Sequence, residues 1–176
     1  MDLVRDLETG PDSPNVVYAV IECPKGTENK YEYDAKRKMI VLDRVLYSTM
    51  HFPGDYGFLP RTLDEDGDPL DILVLVTAGT FPGCVMKARP VGLLRMIDGG
   101  KSDDKVLAVP VGDPRYADYK DLDSLPDHIP KEIAYLFETY KVLEGKHVQV
   151  LGWENADAAR KVIRHCQQMY DASNRN

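Results

Sequence analysis

Residues 64–71 read DEDGDPLD and lead without a break into ILVLV at residues 72–76. Five acids in eight residues, set on the lip of a strand-like apolar run, constrain the fold around them, because that lip must face either bulk solvent or a cation. Gly67 and Pro69 bend the segment into an extended turn, in which Asp66 and Asp68 can project to one side while Asp71 returns to them. Carboxylates packed so closely repel one another and retain protons, a penalty that bound metal relieves. All-oxygen ligation suits a hard ion, Mg²⁺ or Mn²⁺ before Zn²⁺ or copper. A solvated acidic turn is the alternative that these eight residues leave open. An EF-hand is excluded by position: counted from Asp64, Pro69 stands where that loop needs its glycine and Leu75 where it needs its bidentate glutamate.

A chain of 176 residues, 43% hydrophobic and 29% charged, has the apolar mass for one globular domain, 1–176, without staples. Its formal net charge of −7 disfavours a nucleic-acid or anionic-membrane surface, so any basic residues that bind an anion must be concentrated locally. Cys23, Cys84 and Cys166 are odd in number and form no CxxC pair, which fits reduced, buried thiols and neither a disulfide framework nor a zinc ribbon. The N-terminal MDLVRDLETGPDSP lacks an apolar run of signal-peptide length, and no stretch has the length of a membrane span. The expectation is a soluble, cytoplasmic protein. Gly10, Pro11 and Pro14 predict an extended N-terminal arm over residues 1–14, lying across the surface.

NVVYAVIE, residues 15–22, is nearly continuous in its apolarity, as a strand buried on both faces would be, and Glu22 ends it. In KYEYD, Lys30, Glu32 and Asp34 alternate against Tyr31 and Tyr33. KMIVLDR puts Ile40, Leu42 and Arg44 on one side, so Arg44 either reaches into a cleft or covers the core edge with its stem. LYSTMHFPGDYGFLP, residues 46–60, reads as an ordered loop anchored by Phe52, Tyr56 and Phe58, with Tyr56 either a packing residue or a donor to a bound anion. CVMKARPVGLLRMI predicts a long strand broken near Pro90. DGGKSDDK then forms a second acidic turn with Asp98, Asp103 and Asp104, either a solvated hairpin tip or the other part of a multi-metal site. Lys105, opening the strand KVLAVPV, is a surface charge or an anion ligand.

Pro130 opens a predicted helix over 130–144, in which Ile133, Leu136, Phe137 and Tyr140 recur at i, i+3, i+4 and i+7. Lys141 is one position away, at a cavity rim or in solvent. HVQVLGW is a last short strand, and Asn155 caps a terminal helix over 156–172 with Ala159, Ile163 and Cys166 turned inward. His51, His128, His147 and His165 show no ligand spacing and are assigned to no metal.

DGDPLD, with KYEYD and LDRVLYS before it and DGGKSDDK, FETYK and GWENA after it, resembles the soluble family I inorganic pyrophosphatases, in order from about Val17 to Ala156. The resemblance implies an α+β, mainly β fold: a five-stranded, OB-like closed barrel with two flanking α-helices. The implied reaction is Mg²⁺-dependent hydrolysis of pyrophosphate to two phosphates, with Mn²⁺ or other divalent ions as possible substitutes. Residue by residue, it makes Asp66, Asp71 and Asp103 the principal metal ligands, Asp98 a further ligand, and Glu22 a ligand through water. Asp68 takes the proton of the attacking water. Lys30, Arg44, Tyr56, Lys105, Tyr140 and Lys141 match the family's phosphate-binding and leaving-group contacts, with Glu32 in the same pocket. Many members of the family have tyrosine where this chain has Phe52. A homohexamer is implied for short chains of this type.

The charge balance agrees with that picture. Seven acids (Glu22, Glu32, Asp66, Asp68, Asp71, Asp98, Asp103) against four bases (Lys30, Arg44, Lys105, Lys141) leave three net negative charges, so a multivalent anion needs divalent cations in place before it enters. Two rival readings are a phosphohydrolase acting on a nucleotide and a noncatalytic metal-binding barrel. The first lacks an evident Gly-rich phosphate loop. The second has no use for Lys30, Arg44 and Lys141.

Overall fold

A computed structural model describes residues 1–175. Its strands are β1 (Val17–Cys23), β2 (Asn29–Asp34), β3 (Met39–Val45), β4 (Asp55–Phe58), β5 (Asp71–Val74), β6 (Val85–Asp98), β7 (Lys101–Ser102), β8 (Lys105–Pro110) and β9 (Val148–Asn155); its α-helices are α1 (His128–Thr139) and α2 (Ala156–Ser173). β1, β4, β5, β8 and β6 are hydrogen-bonded in that order, and β6 returns to β1, closing a ring through five strands. The β5–β8 pair is parallel and the other pairs of the ring are antiparallel. β9 extends the sheet from the far half of β6, and β2 and β3 form a separate hairpin.

The near-continuous apolar runs follow from two cores on opposite faces of the sheet. On β5, Leu73 joins a cluster with Phe52, Tyr56 and the α1 residues Ile133, Leu136 and Phe137, while Ile72 and Val74 join one with Ala159, Ile163 and Cys166 of α2. Side chains alternate across a strand, so a strand with a helix on each face must be apolar at every position. β8 divides likewise, Leu107 and Val109 to the first cluster and Val106 and Ala108 to the second. The break predicted near Pro90 is a register shift between Pro90 and Gly92 within one 14-residue strand, where the missing proline N–H costs least.

Four local expectations are corrected. The segment over 46–60 is no continuous loop: its Asp55–Phe58 portion is β4, fully buried between β1 and β5. Gly57 permits this, since a Cβ there would meet the Val20 carbonyl oxygen at 1.9 Å. The first helix begins at His128 and ends at Thr139, with a separate 3₁₀ turn at Val142–Glu144 closed by Gly145 in the left-handed region. Pro130 therefore lies inside the first turn, where its lack of an N–H is harmless. The Ile40–Leu42–Arg44 stripe is not buried, for Leu42 is 55% exposed. Finally, residues 1–14 are a series of turns and not an extended arm, with Asp2 and Thr9 buried against the body.

Candidate functional site

The acidic turn is held by its own backbone. Asp64 N–H donates to the Asp68 carbonyl (2.8 Å), Gly67 N–H to the Asp64 carbonyl (3.1 Å) and Asp68 N–H to Asp66 Oδ1 (3.0 Å). Gly67 takes φ of 101°, a left-handed conformation that glycine adopts without steric cost. The turn delivers Asp71 to the first position of β5, whose parallel partner is Lys105 at the start of β8. That register puts the Lys105 ammonium between Asp71 and the neighbouring Asp103, and it pairs with both. Tyr56, on β4, donates its hydroxyl to Asp71 Oδ2 at 2.6 Å.

These groups line a cavity of about 530 Å³. Glu22 enters from β1, Lys30 and Glu32 from β2, and Asp66 and Asp68 from the turn. Asp98, Asp103, Tyr140 and Lys141 complete the wall, with Lys30 paired to Glu32 and Lys141 to Asp98. Asp103 and Asp104 part company: Asp103 faces the cavity, and the buried Asp104 pairs with Arg95 and accepts from Met96 N–H at 3.3 Å.

Arg44 is the exception among the sequence-derived candidates, for it is absent from the cavity wall. Its Nε donates to Glu144 at 2.8 Å, and it also pairs with Asp43; its Nη2 is buried without a partner among the described residues. Arg5, Thr62 and Asn174 line the cavity without having been singled out. Their placement depends on the N-terminal turns and the end of α2 packing beside the acidic turn, which no local pattern encodes.

Burial, and after it the crowding of negative charge, is visible in the acid–base properties. Burial, with the charge of Asp71 nearby, pushes Glu22 up to about 8 despite a 2.7 Å hydrogen bond from Tyr33 N–H. Burial and then the charges of Asp66 and Asp71 raise Asp68; burial and Asp71 raise Asp103 against the opposing pull of Lys105. Burial disfavours the charge on Lys105, but Asp71 and Asp103 more than offset it and hold its pKa above the ordinary lysine value. Burial, then the Asp71 charge, keeps Tyr56 protonated and therefore a donor.

A second cavity of about 580 Å³ lies beyond Phe52 and is lined mainly by apolar side chains such as Met50, Leu75, Ile133 and Leu136. It has slightly more room but, among the described residues, gathers no set of carboxylates, so the first cavity is the candidate site. Phe52 is the partition: 1% exposed, it stacks on Tyr56 with ring centroids 5.2 Å apart.

Thr62 and Ser173, hydroxyls on the cavity wall, donate to the Leu59 and Tyr170 carbonyls at 2.7 and 2.8 Å. Neither is set up as a nucleophile. Carboxylates with raised proton affinity beside paired lysines instead suit an arrangement that accepts cations first and a multivalent anion second.

The family model "Inorganic pyrophosphatase" matches residues 19–171 of this chain. An inorganic pyrophosphatase of Halobacterium salinarum is 58% identical over 171 residues, 97% of each chain. One of Haloferax volcanii is 54% identical over 172 residues, again 97% of each. The crystal structure of inorganic pyrophosphatase from Thermus thermophilus superposes with a TM-score of 0.94 at 46% identity, covering 97% of this chain and 99% of that one.

Proposed function

The chain belongs to the soluble family I inorganic pyrophosphatases and hydrolyses inorganic pyrophosphate, and from that premise we propose how its own residues perform the reaction. The observation that carries the reading is the convergence of seven carboxylates and three lysines on one cavity. The donor set fits a hard divalent ion: the carboxylates offer only oxygen, burial and then their like charges raise Asp68 and Asp103, and among the described residues no histidine or cysteine lines the wall. Asp66, Asp71 and Asp103 would be its principal holders, with Asp98 a further ligand and Glu22 acting through water. Mg²⁺ is the proposed ion and Mn²⁺ a substitute; bound there, such ions neutralise the anion and lower the pKa of water.

The remaining roles fall to protein groups. Asp68, exposed on the turn and raised in pKa, accepts the proton of the attacking water. Tyr56, fixed by Asp71 below and Phe52 beside it, presents a protonated hydroxyl. Lys30, Lys105, Tyr140 and Lys141 bind and orient the phosphoryl groups, with Glu32 setting the position of Lys30. Arg44 joins them by exchanging its Asp43 and Glu144 contacts for phosphate, a role its unpartnered Nη2 favours. With Thr62 and Ser173 engaged elsewhere, attack is by water, in line and without a covalent intermediate.

In this reading the five-strand ring is the OB-like barrel of the family, the chain works in the cytoplasm, and it assembles as a homo-oligomer, a hexamer. Among the described residues no helix is long and apolar enough to cross a membrane. Exposed apolar side chains such as Tyr47 (62%) and Leu143 (66%) support assembly. Sedimentation over a range of concentrations checks it, and a monomer at every concentration removes it. The deciding assay is phosphate release from pyrophosphate, ATP and a simple phosphoester, each with Mg²⁺ and after exhaustive chelation. Activity on pyrophosphate alone, abolished by EDTA and restored by Mg²⁺, is expected; full turnover in EDTA overturns the metal-dependent reading.

A further inference from the structure

Four cationic side chains line the carboxylate cavity, and three of them already face carboxylates. Lys30 pairs with Glu32, Lys105 with Asp71 and Asp103, and Lys141 with Asp98. The fourth is Arg5 of the N-terminal turns, whose guanidinium makes no ion pair and donates no hydrogen bond among the described residues. A cation already paired offers an incoming anion only the remainder of its field. An unpaired guanidinium offers its whole charge and a fork of donors that matches two phosphate oxygens.

Arg5 is held where it is by a closed turn tied to both walls of the cavity. Asp2 Oδ1 accepts from Val4 N–H (3.0 Å) and Arg5 N–H (3.3 Å), and Asp6 Oδ2 accepts from Asp2 N–H (2.7 Å). Leu3 N–H donates to the Tyr33 hydroxyl on β2 at 3.0 Å, and Tyr33 in turn gives its N–H to Glu22. On the other side Arg61, which leads into the acidic turn, donates its N–H to the Val4 carbonyl (2.9 Å) and its Nε to the Arg5 carbonyl (3.0 Å). Arg61 does so at φ of 50°, a left-handed backbone that residues with a side chain rarely adopt. The contacts fix the backbone of residue 5 and leave its charged end free.

We propose that Arg5 captures the anionic substrate: it draws pyrophosphate to the side of the cavity formed by the N-terminal turns and binds a terminal phosphoryl group there, setting KM without entering the chemical step. This rests on the reading of the cavity as the pyrophosphate site.

The test compares the parent protein with Arg5→Gln and Arg5→Lys at saturating Mg²⁺, in steady-state kinetics and in calorimetric titration with inorganic phosphate. Arg5 is exposed, so Arg5→Gln is expected to keep the parent's thermal midpoint. At low ionic strength its KM should rise about 2–5-fold with kcat unchanged, the size of a solvent-accessible charge contact. Phosphate affinity should fall in parallel, Arg5→Lys should recover part of both, and the difference should fade toward 1 M salt, where the screening length drops to about 3 Å. Unchanged KM and phosphate affinity at low salt overturn the capture role. So does a KM change that high salt leaves intact, or that comes with a lowered thermal midpoint which Arg5→Lys does not restore, for Arg5 then only pins the N-terminal turns. If the parent itself releases no phosphate from pyrophosphate, the underlying reading falls, and the phosphate titration still decides whether Arg5 binds anions.

Discussion

Asp66, Asp68 and Asp71 lie within six residues and meet three environments. Asp66 is half-buried and accepts the Asp68 N–H, Asp68 is exposed, and Asp71 is held by the Tyr56 hydroxyl and the Lys105 ammonium. Asp71→Asn removes charge from the proposed cation shell, so it is expected to raise the Mg²⁺ concentration needed and to be partly rescued by more metal. Asp68→Asn deletes the proposed proton acceptor, and its deficit, about 10²–10⁴-fold, should persist at saturating Mg²⁺. Turnover measured against Mg²⁺ concentration separates the two; recovery of Asp68→Asn by added metal would make Asp68 a ligand or a spectator. Phe52→Ala removes a fully buried ring and the partition between the cavities, at a cost of about 3–5 kcal/mol in urea unfolding. At this scale the sequence was most legible where geometry is local. Gly67 and Pro69 dictate a turn, and the turn dictates which acids converge. Arg5 was illegible because Tyr33 and Arg61, distant in the chain, decide where its backbone is held.

Elements were legible by periodicity and obscure where pairing is nonlocal. The predicted bounds of α2 hold to one residue, because the Asn155 side chain accepts from Ala158 N–H at 3.1 Å and starts the helix where a cap residue predicts. β4 was hidden, since four residues containing a glycine carry no strand signal until β1 and β5 flank them. A less visible device starts two elements at once. Asp121 Oδ1 accepts the Leu122 N–H opening a 3₁₀ turn and the Ala156 N–H opening α2, both at 2.8 Å. Asp121→Ala leaves both donors without that partner and is expected to cost about 1–2 kcal/mol, while Asp121→Asn, which keeps an acceptor oxygen, should cost clearly less. Urea unfolding of the two variants measures the difference, and equal stabilities would mean that water replaces the carboxylate without loss.

For the molecule as a whole, a cavity of buried, crowded carboxylates makes the metal-free protein sensitive to alkali. Glu22 is pushed from 4.5 up to about 8 and Asp64 from 3.8 up to about 6, both chiefly by burial, and Asp68 and Asp103 move the same way. Between the unfolded and folded pKa values the native state holds more protons than the unfolded chain, so stability falls as pH rises. The sign is opposite to that of a salt-bridged carboxylate: the stabilising protons are present below about pH 4 and are lost progressively up to about pH 8. In EDTA, the free energy of unfolding is therefore expected to decline from pH 5 to pH 8. Divalent ions favour the charged carboxylates and bind only the folded arrangement, so the stability gained on adding Mg²⁺ should widen over the same interval. Glu22→Gln carries no titrating group and should flatten the upper part of the decline, from pH 6 to pH 8, where Glu22 still holds its proton and Asp64 has largely released its own. Urea unfolding at unit pH steps, with EDTA and with Mg²⁺, supplies both curves. A flat or rising EDTA curve across that interval would show that the folded cavity ionises as freely as the unfolded chain, and the burial and crowding of carboxylates that support the metal-dependent reading would be gone.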